Sequence, residues 1–458
     1  MEMVRKNAPR GLHVRDLTSE ERRAVINVFG GGKQSTVKEK KLASDILQEM
    51  DRRDLLLACD CISGESRPYN SEVEKSFIRH LKTSARHDKG CPLCHVKKPG
   101  KNPGGDDDRD GHIAPLVPAG PDDLFTRKTS PGKVGGGNSE EGRRHRKKLK
   151  PVPALGRIMM TILESASINK TSILPVTPPP GITASLQAVT HFLDSWLLIN
   201  GLPASQFITT KPWQTDRERK HILNTIKNSG QTWGKNRELC TAMIGLAGKV
   251  TQTDVTFMVK GTPYTFSPLG RIKIFGEGLL SAGTREPYWV ILRFRQDEYG
   301  EVYCAEGYAH PAFDMNLPIP VDSEKERATL RTIRKAAKYV SEQSDHPPSI
   351  SLIKPLFTET TEIEGSKEEV HPDFLLTLRA DGSDKEIPLI IETMGYDSEE
   401  YVARKSGTHR AMKTLGTLLT DPHGFPAKSD VTFYSQLLSW FFNPEKNRTF
   451  NHREFQNE

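Results

Sequence analysis

One stretch, His371 to Met412, constrains the chain more than any other. It opens His371-Pro372-Asp373-Phe374-Leu375-Leu376 and reaches a polar turn at Asp381-Gly382-Ser383-Asp384. It then runs Ile387-Pro388-Leu389-Ile390-Ile391-Glu392-Thr393-Met394-Gly395. Both apolar runs are short and bounded by turn residues, which predicts two strands. The turn between them is short enough for an antiparallel hairpin. Asp373 starts the first strand and Glu392 ends the second, so the two carboxylates lie side by side at one end of a sheet. Like charges among apolar neighbours repel unless a cation bridges them, and hard oxygen ligands suit Mg²⁺ or Mn²⁺.

After Gly395 the pattern turns helical. Asp397 is placed to cap, and Glu399 and Glu400 fall in the first turn. Tyr401, Lys405 and His409 recur every four residues and share one face, with Arg404 beside it. The order of strand, Pro-Asp, turn, strand, Glu and basic helix resembles the PD-(D/E)XK nuclease superfamily, over roughly residues 350–440. That motif has Lys two residues after the Glu, and Met394 stands there instead. Some members carry the basic residue on the following helix, which points to Lys405, with Arg404 second. The resemblance implies a restriction-endonuclease-like mixed sheet and metal-dependent phosphodiester hydrolysis. Asp373 and Glu392 would be ligands, and Lys405 would position the water or the scissile phosphate. Members often place a third acid on the helix before the first core strand, where Glu326 is nearest; Tyr401 and His409 are further accessory candidates. The whole chain also resembles a family of uncharacterised bacterial proteins found on plasmids and integrative elements.

At 458 residues there is room for two to four domains. Apolar residues make up only 35 %, with 36 Gly and 31 Pro, so part of the chain reads as linker. No run approaches the roughly 20 apolar residues of a membrane helix, and no signal-peptide core opens the chain. The expectation is a soluble, cytoplasmic protein with no membrane partner. A net charge of +7 favours a polyanionic partner.

The six cysteines are expected to be metal ligands or buried thiols rather than disulfides. Cys59-Asp60-Cys61 and Cys91-Pro92-Leu93-Cys94 form a Cys-x-Cys and a Cys-x-x-Cys pair. Four thiolates on tight turns suit one structural Zn²⁺, with His80, His87 and His95 as spare nitrogen ligands. Between the pairs, Val73, Phe77 and Leu81 predict a helix over Glu72–Ser84. Cys240 and Cys304 stand alone and are expected to pack.

Residues 97–150 lack periodicity and read as a disordered linker with a basic end. That end holds Arg143, Arg144, Arg146, Lys147, Lys148 and Lys150, which suit non-specific phosphate contacts. The resulting division is an N-terminal helical region with the cysteine site (1–96), the linker (97–150), a mixed helix and hairpin domain (151–322), a nuclease-like domain (323–442) and a polar tail (443–458). The class is α+β or α/β, multidomain. Within it, Tyr288–Arg295 and Glu301–Tyr308 predict a hairpin with Arg293 and Arg295 on a wet face. Ser44–Gln48 predicts a short helical piece, Ser323–Val340 a helix, and Val431–Tyr434 a strand. The leading function is a divalent-metal-dependent nuclease acting on nucleic acid, DNA first, of a bacterial mobile element. The alternatives are a catalytically silent DNA-binding or conjugation accessory protein, and a zinc-organised scaffold.

Overall fold

The computed structural model describes residues 1–7, 11–29, 36–62, 67–73, 77–81, 84–88, 91–93, 117–125, 152–198, 201–228, 238–276, 285–363, 366–395, 399–427 and 429–447. They form a mixed α/β structure with three main sheets.

In the first sheet the strand order is His13–Asp16, Glu2–Arg5, Leu55–Ala58, Tyr69–Val73, Phe77–His80. Leu55–Ala58 is buried at every position, so it needs a hydrogen-bonded neighbour on both edges. Tyr69–Val73 supplies one of them, pairing antiparallel from Ala58↔Tyr69 to Leu56↔Ser71. This corrects the helix expected over Glu72–Ser84. The i, i+4 spacing of Val73, Phe77 and Leu81 is real, but the open sheet edge decides the structure. Helices Ser19–Phe29 and Val37–Arg53 cover one face around Ile46, Leu47 and Met50. The second is far longer than the piece expected at Ser44–Gln48. Thr36 caps it, accepting from the Glu39 N–H while the Glu39 carboxylate accepts from the Thr36 N–H.

The middle sheet has the order Ile272–Ile274, Val302–Pro311, Tyr288–Gln296, Thr241–Ala247, Ile208–Thr209. Helices Ala154–Ser165 and Gly181–Ser195 pack on one face, and the small sheet of Val255–Val259 and Thr262–Phe266 packs on the other. The expected hairpin is present. Its wet basic face is not: Tyr288–Gln296 is a central strand covered on both sides, and Arg293 is buried, bonded to Glu306 at 2.5 Å. Cys240 is buried and Cys304 half-buried. Within the span read as linker, Ala119, Leu124 and Phe125 are buried in the middle core, so the linker reading does not extend to 117–125. The basic end, with all six of its Arg and Lys candidates, lies outside the described residues.

The third sheet has the order Thr417–Asp421, Glu386–Thr393, Phe374–Arg379, Ser349–Ile353, Lys170–Leu174. Its last strand comes from far upstream in the chain. Phe374–Arg379 and Glu386–Thr393 pair antiparallel, with Phe374 opposite Ile391. Glu386–Thr393 then pairs parallel with Thr417–Asp421 through the helix Glu399–Met412, a strand–helix–strand crossover. A further hairpin, Glu359–Ile363 with Ser366–Val370, stands between the strands and was not foreseen. Side-chain alternation sorts the faces. Ile387, Leu389 and Ile391 pack under Glu324–Gln343 and Phe433–Phe442, whereas Ile390 packs with Ala411 and Met412 of the crossover helix. The strand expected at Val431–Tyr434 is the start of Phe433–Phe442, a helix. Thr432 caps it by accepting from the Ser435 N–H, and Phe433, Leu437, Trp440 and Phe441 form its buried stripe. Among the described residues, no helix is long and apolar enough to cross a membrane.

Candidate active site

Continuing the antiparallel register by one residue puts Asp373 directly across from Glu392. Since Phe374 and Ile391 face the Glu324–Gln343 side, Asp373 and Glu392 both face the crossover helix. The two ends are stitched together. The Asp373 N–H donates to Glu392 Oε1 at 3.2 Å, and the Thr393 N–H donates to Asp373 Oδ2 at 2.6 Å. Glu392 is 0 % exposed.

Lys405 comes down from the crossover helix, and its Nζ lies 2.5 Å from Glu392 Oε2. His409, one turn on, has its buried Nε2 4.0 Å from the same oxygen and without a hydrogen-bond partner among the described residues. Burial and the neighbouring Lys405 push its imidazole down to about 4, so it is neutral near pH 7. Tyr401 is buried, and its hydroxyl accepts from the Gly395 N–H at 3.0 Å, holding the strand exit against the helix. Met394 is buried, and its N–H donates to the Asp421 carbonyl. The side chain of Arg404 lies outside the described residues, as does Asp397.

A second set of charges approaches from the opposite side. Lys354, directly after the strand Ser349–Ile353, is 1 % exposed. Its Nζ bonds Asp322 Oδ2 at 2.9 Å and Glu326 Oε2 at 3.0 Å. Asp322 also meets His310 of the middle sheet at 3.1 Å. Burial raises the Glu326 carboxyl, with Asp322 and Asp373 adding repulsion and Lys354 opposing it. Glu326 therefore feels Asp373, although its carboxylate accepts from the Asp322 N–H and pairs with Lys354. Lys354 and Asp322 escaped the sequence reading. The available signal was a single Lys closing the apolar run Ile350-Ser351-Leu352-Ile353.

Asp322, Glu326, Asp373 and Glu392 against Lys354 and Lys405 leave an excess of two negative charges when all are ionised. The effect is visible at Glu392: burial pushes its carboxyl up to about 7, Asp373 adds to the rise, and Lys405 opposes it. Carboxylate oxygens are the ligand type that a hard divalent cation takes.

The cysteine cluster differs in one ligand from expectation. Cys59, Cys61, Cys91 and His87 bring one ligand atom each within 4.8 Å of one another. Cys59 Sγ and Cys91 Sγ are 3.6 Å apart, and His87 Nδ1 is 3.4 Å from Cys61 Sγ and 3.3 Å from Cys91 Sγ. A tetrahedron with Zn–S near 2.3 Å has edges of about 3.8 Å, and slightly less to nitrogen. The cluster fits that ion. His87 Nε2 meets Asn70 Oδ1 at 3.1 Å, which fixes the ring with Nδ1 toward the sulfurs. Burial pushes the Cys59 thiol up to about 12, so a cation is what would hold it as thiolate. Cys94 and His95 lie outside the described residues. His80 packs edge-on against the His87 ring and is not in the cluster.

Comparison with known proteins now adds to this geometry. Over 163 residues the chain is 42 % identical to the "Uncharacterized protein in cib 5'region" of Escherichia coli, covering 35 % of this chain and 73 % of that protein. The chain belongs to that protein's family. Residues 322–441 match the restriction endonuclease-like C-terminal domain, so the nuclease-like superfamily holds for the carboxylate-bearing sheet. Residues 1–98 and 119–312 match two domains of unknown function, DUF8534 and DUF8535. No solved structure matches the chain.

The charge imbalance has a measurable consequence. In protein without added divalent metal, the Glu392 carboxyl is expected to titrate near 7 rather than at the ordinary 4.5. The fold then holds its proton longer than the unfolded chain does. Its stabilising contribution is complete below pH 4.5 and is lost as the pH rises to about 7. Asp373→Asn should bring the value down and Lys405→Met should push it up, read by carboxyl ¹³C NMR. Glu392 titrating at 4.5 in all three proteins would refute the arrangement.

Proposed function

We propose that this protein is a divalent-metal-dependent nuclease, with Asp373 and Glu392 as the metal-holding carboxylates and Lys405 in the role of the motif lysine. The observation that carries the reading is the pairing of two opposed carboxylates with an ammonium from the next helix, 2.5 Å from Glu392, inside a restriction-endonuclease-like domain. Met394 fills the usual Lys position in sequence, and Lys405 reaches the same acid from the crossover helix, which supports the PD-(D/E)XK reading. When bound, Mg²⁺ or Mn²⁺ would supply Lewis-acid polarisation of the phosphate. The chain's own groups do the rest. Lys405 offers positive charge to a phosphate whose negative charge grows in the transition state. Neutral His409 is a proton acceptor beside Glu392, and Tyr401 fixes the strand end that carries it. Glu326 is a third acid at longer range, held by Lys354. DNA as the substrate, a bacterial mobile element as the setting, the cytoplasm as the location and the domain division, with 117–125 taken out of the linker, remain part of this proposal and rest on the sequence.

The test is cleavage of mixed single- and double-stranded substrates with Mg²⁺ or Mn²⁺. Asp373→Ala and Glu392→Ala should each lower the rate by at least about 10³-fold, measured where circular dichroism shows the variant folded, and Lys405→Ala by about 10²-fold. Wild-type protein that binds DNA but cuts nothing under any metal would instead support the silent nucleic-acid-binding reading.

For the N-terminal cluster we propose a structural zinc ion held by Cys59, Cys61, Cys91 and His87. With four protein ligands it has no open position, so its role is to close a small sheet rather than to catalyse. Purified protein is expected to carry about one zinc by elemental analysis. Cys91→Ser and His87→Ala should each reduce that content and lower the unfolding midpoint. Full zinc in the His87 variant would refute the ligand set.

A further inference from the structure

A cleft of about 580 Å³ opens between the helix Val37–Arg53 and the middle sheet, and none of the carboxylate-site residues lines it. On one wall, Lys40, Ser44, Leu47, Gln48 and Arg52 follow helical spacing, so one face of that helix looks into the cleft. Lys40 and Arg52 are exposed at its two ends, separated along the axis by about 18 Å at a rise of 1.5 Å per residue. The facing wall carries an exposed Arg271, a half-buried Arg295 and the ring of Tyr303. The one acid in the lining, Asp254, already accepts from Ser267 and Thr253 hydroxyls at 2.6 Å each. Gln252 Oε1 is buried there with no hydrogen-bond partner among the described residues.

We propose that this cleft binds a strand of nucleic acid. Lys40, Arg52 and Arg271 would contact successive phosphates, with Tyr303 and Gln252 toward the bases. Basic walls around an aromatic ring suit a phosphate backbone with stacked bases. The distance between Lys40 and Arg52 exceeds what one phosphate group spans, which favours a strand over a mononucleotide. The orphan Gln252 acceptor suits a base amino group or a sugar hydroxyl as donor. The proposal extends the nucleic-acid reading above, but its site and its assay are independent of cleavage.

Fluorescence anisotropy with a labelled single-stranded oligonucleotide, without added divalent cation, tests it, with oligonucleotide integrity checked on a gel. The double variant Lys40→Glu/Arg52→Glu should weaken binding at least tenfold at low salt. It should also reduce the slope of log affinity against log salt by about 0.7 per lost contact. Lys338→Glu, an exposed charge reversal away from the cleft, should stay within about twofold. Gln252→Leu should weaken binding without changing the salt slope. Unchanged affinity and slope in the double variant would overturn the proposal, as would an equal loss in Lys338→Glu. Displacement of the strand by a nucleoside monophosphate at matched concentration would overturn the choice of a strand. Loss of cleavage in wild type with these binding results intact would remove the nuclease reading and leave the cleft.

Discussion

The C-terminal structure depends on a carboxylate that water does not reach. Glu392 directly follows the apolar run Ile387–Ile391 of its strand, and it is completely buried. An unpaired ionised carboxylate there would cost several kcal/mol. Three elements converge on it. The backbone of Asp373 supplies a donor from the neighbouring strand, the crossover helix supplies Lys405, and His409 stands one turn further along. The crossover that carries these groups also allows the parallel pairing with Thr417–Asp421, so sheet topology and charge compensation are one solution.

The same constraint recurs on the other side of the sheet. Lys354 is as buried as Glu392 and is held by Asp322 and Glu326. Because Asp322 also meets His310, this network ties the middle sheet to the carboxylate-bearing one. Buried ion pairs of this kind contribute little net stability, yet losing one partner strands the other. Their effect is to fix where the sheets sit relative to each other. At the N-terminal end, the sulfur and imidazole groups of the cysteine cluster converge from turns beside the first sheet, next to the core around Met3 and Leu57.

Much was legible because it was local. Alternation and turn chemistry gave the hairpin that carries Asp373 and Glu392, and four-residue spacing put Lys405 and His409 on one helix face. Helices with strong caps and stripes, such as Glu324–Gln343, were equally plain. The failures share one cause. Val73, Phe77 and Leu81 fit a helix until Leu55–Ala58 needed an edge partner. Arg293 fits a wet face until a second layer covers it. His87 became the fourth member of the cluster because the strand Tyr69–Val73 brings Asn70 behind its ring.

The sequence by itself determined which residue types were available and which short segments were strand or helix, since those follow from backbone preference and side-chain period. It placed Asp373 and Glu392 at one end of an antiparallel pair, while the register that sets them face to face depends on which side chains the sheet buries. Only the tertiary structure decided that Lys405 meets Glu392 and that Lys354 approaches from the other face. It alone decided that His87 lies with Cys59, Cys61 and Cys91. Those contacts link residues on separate elements, and the position of one element on another is set by covering apolar faces and pairing buried charges across the whole fold.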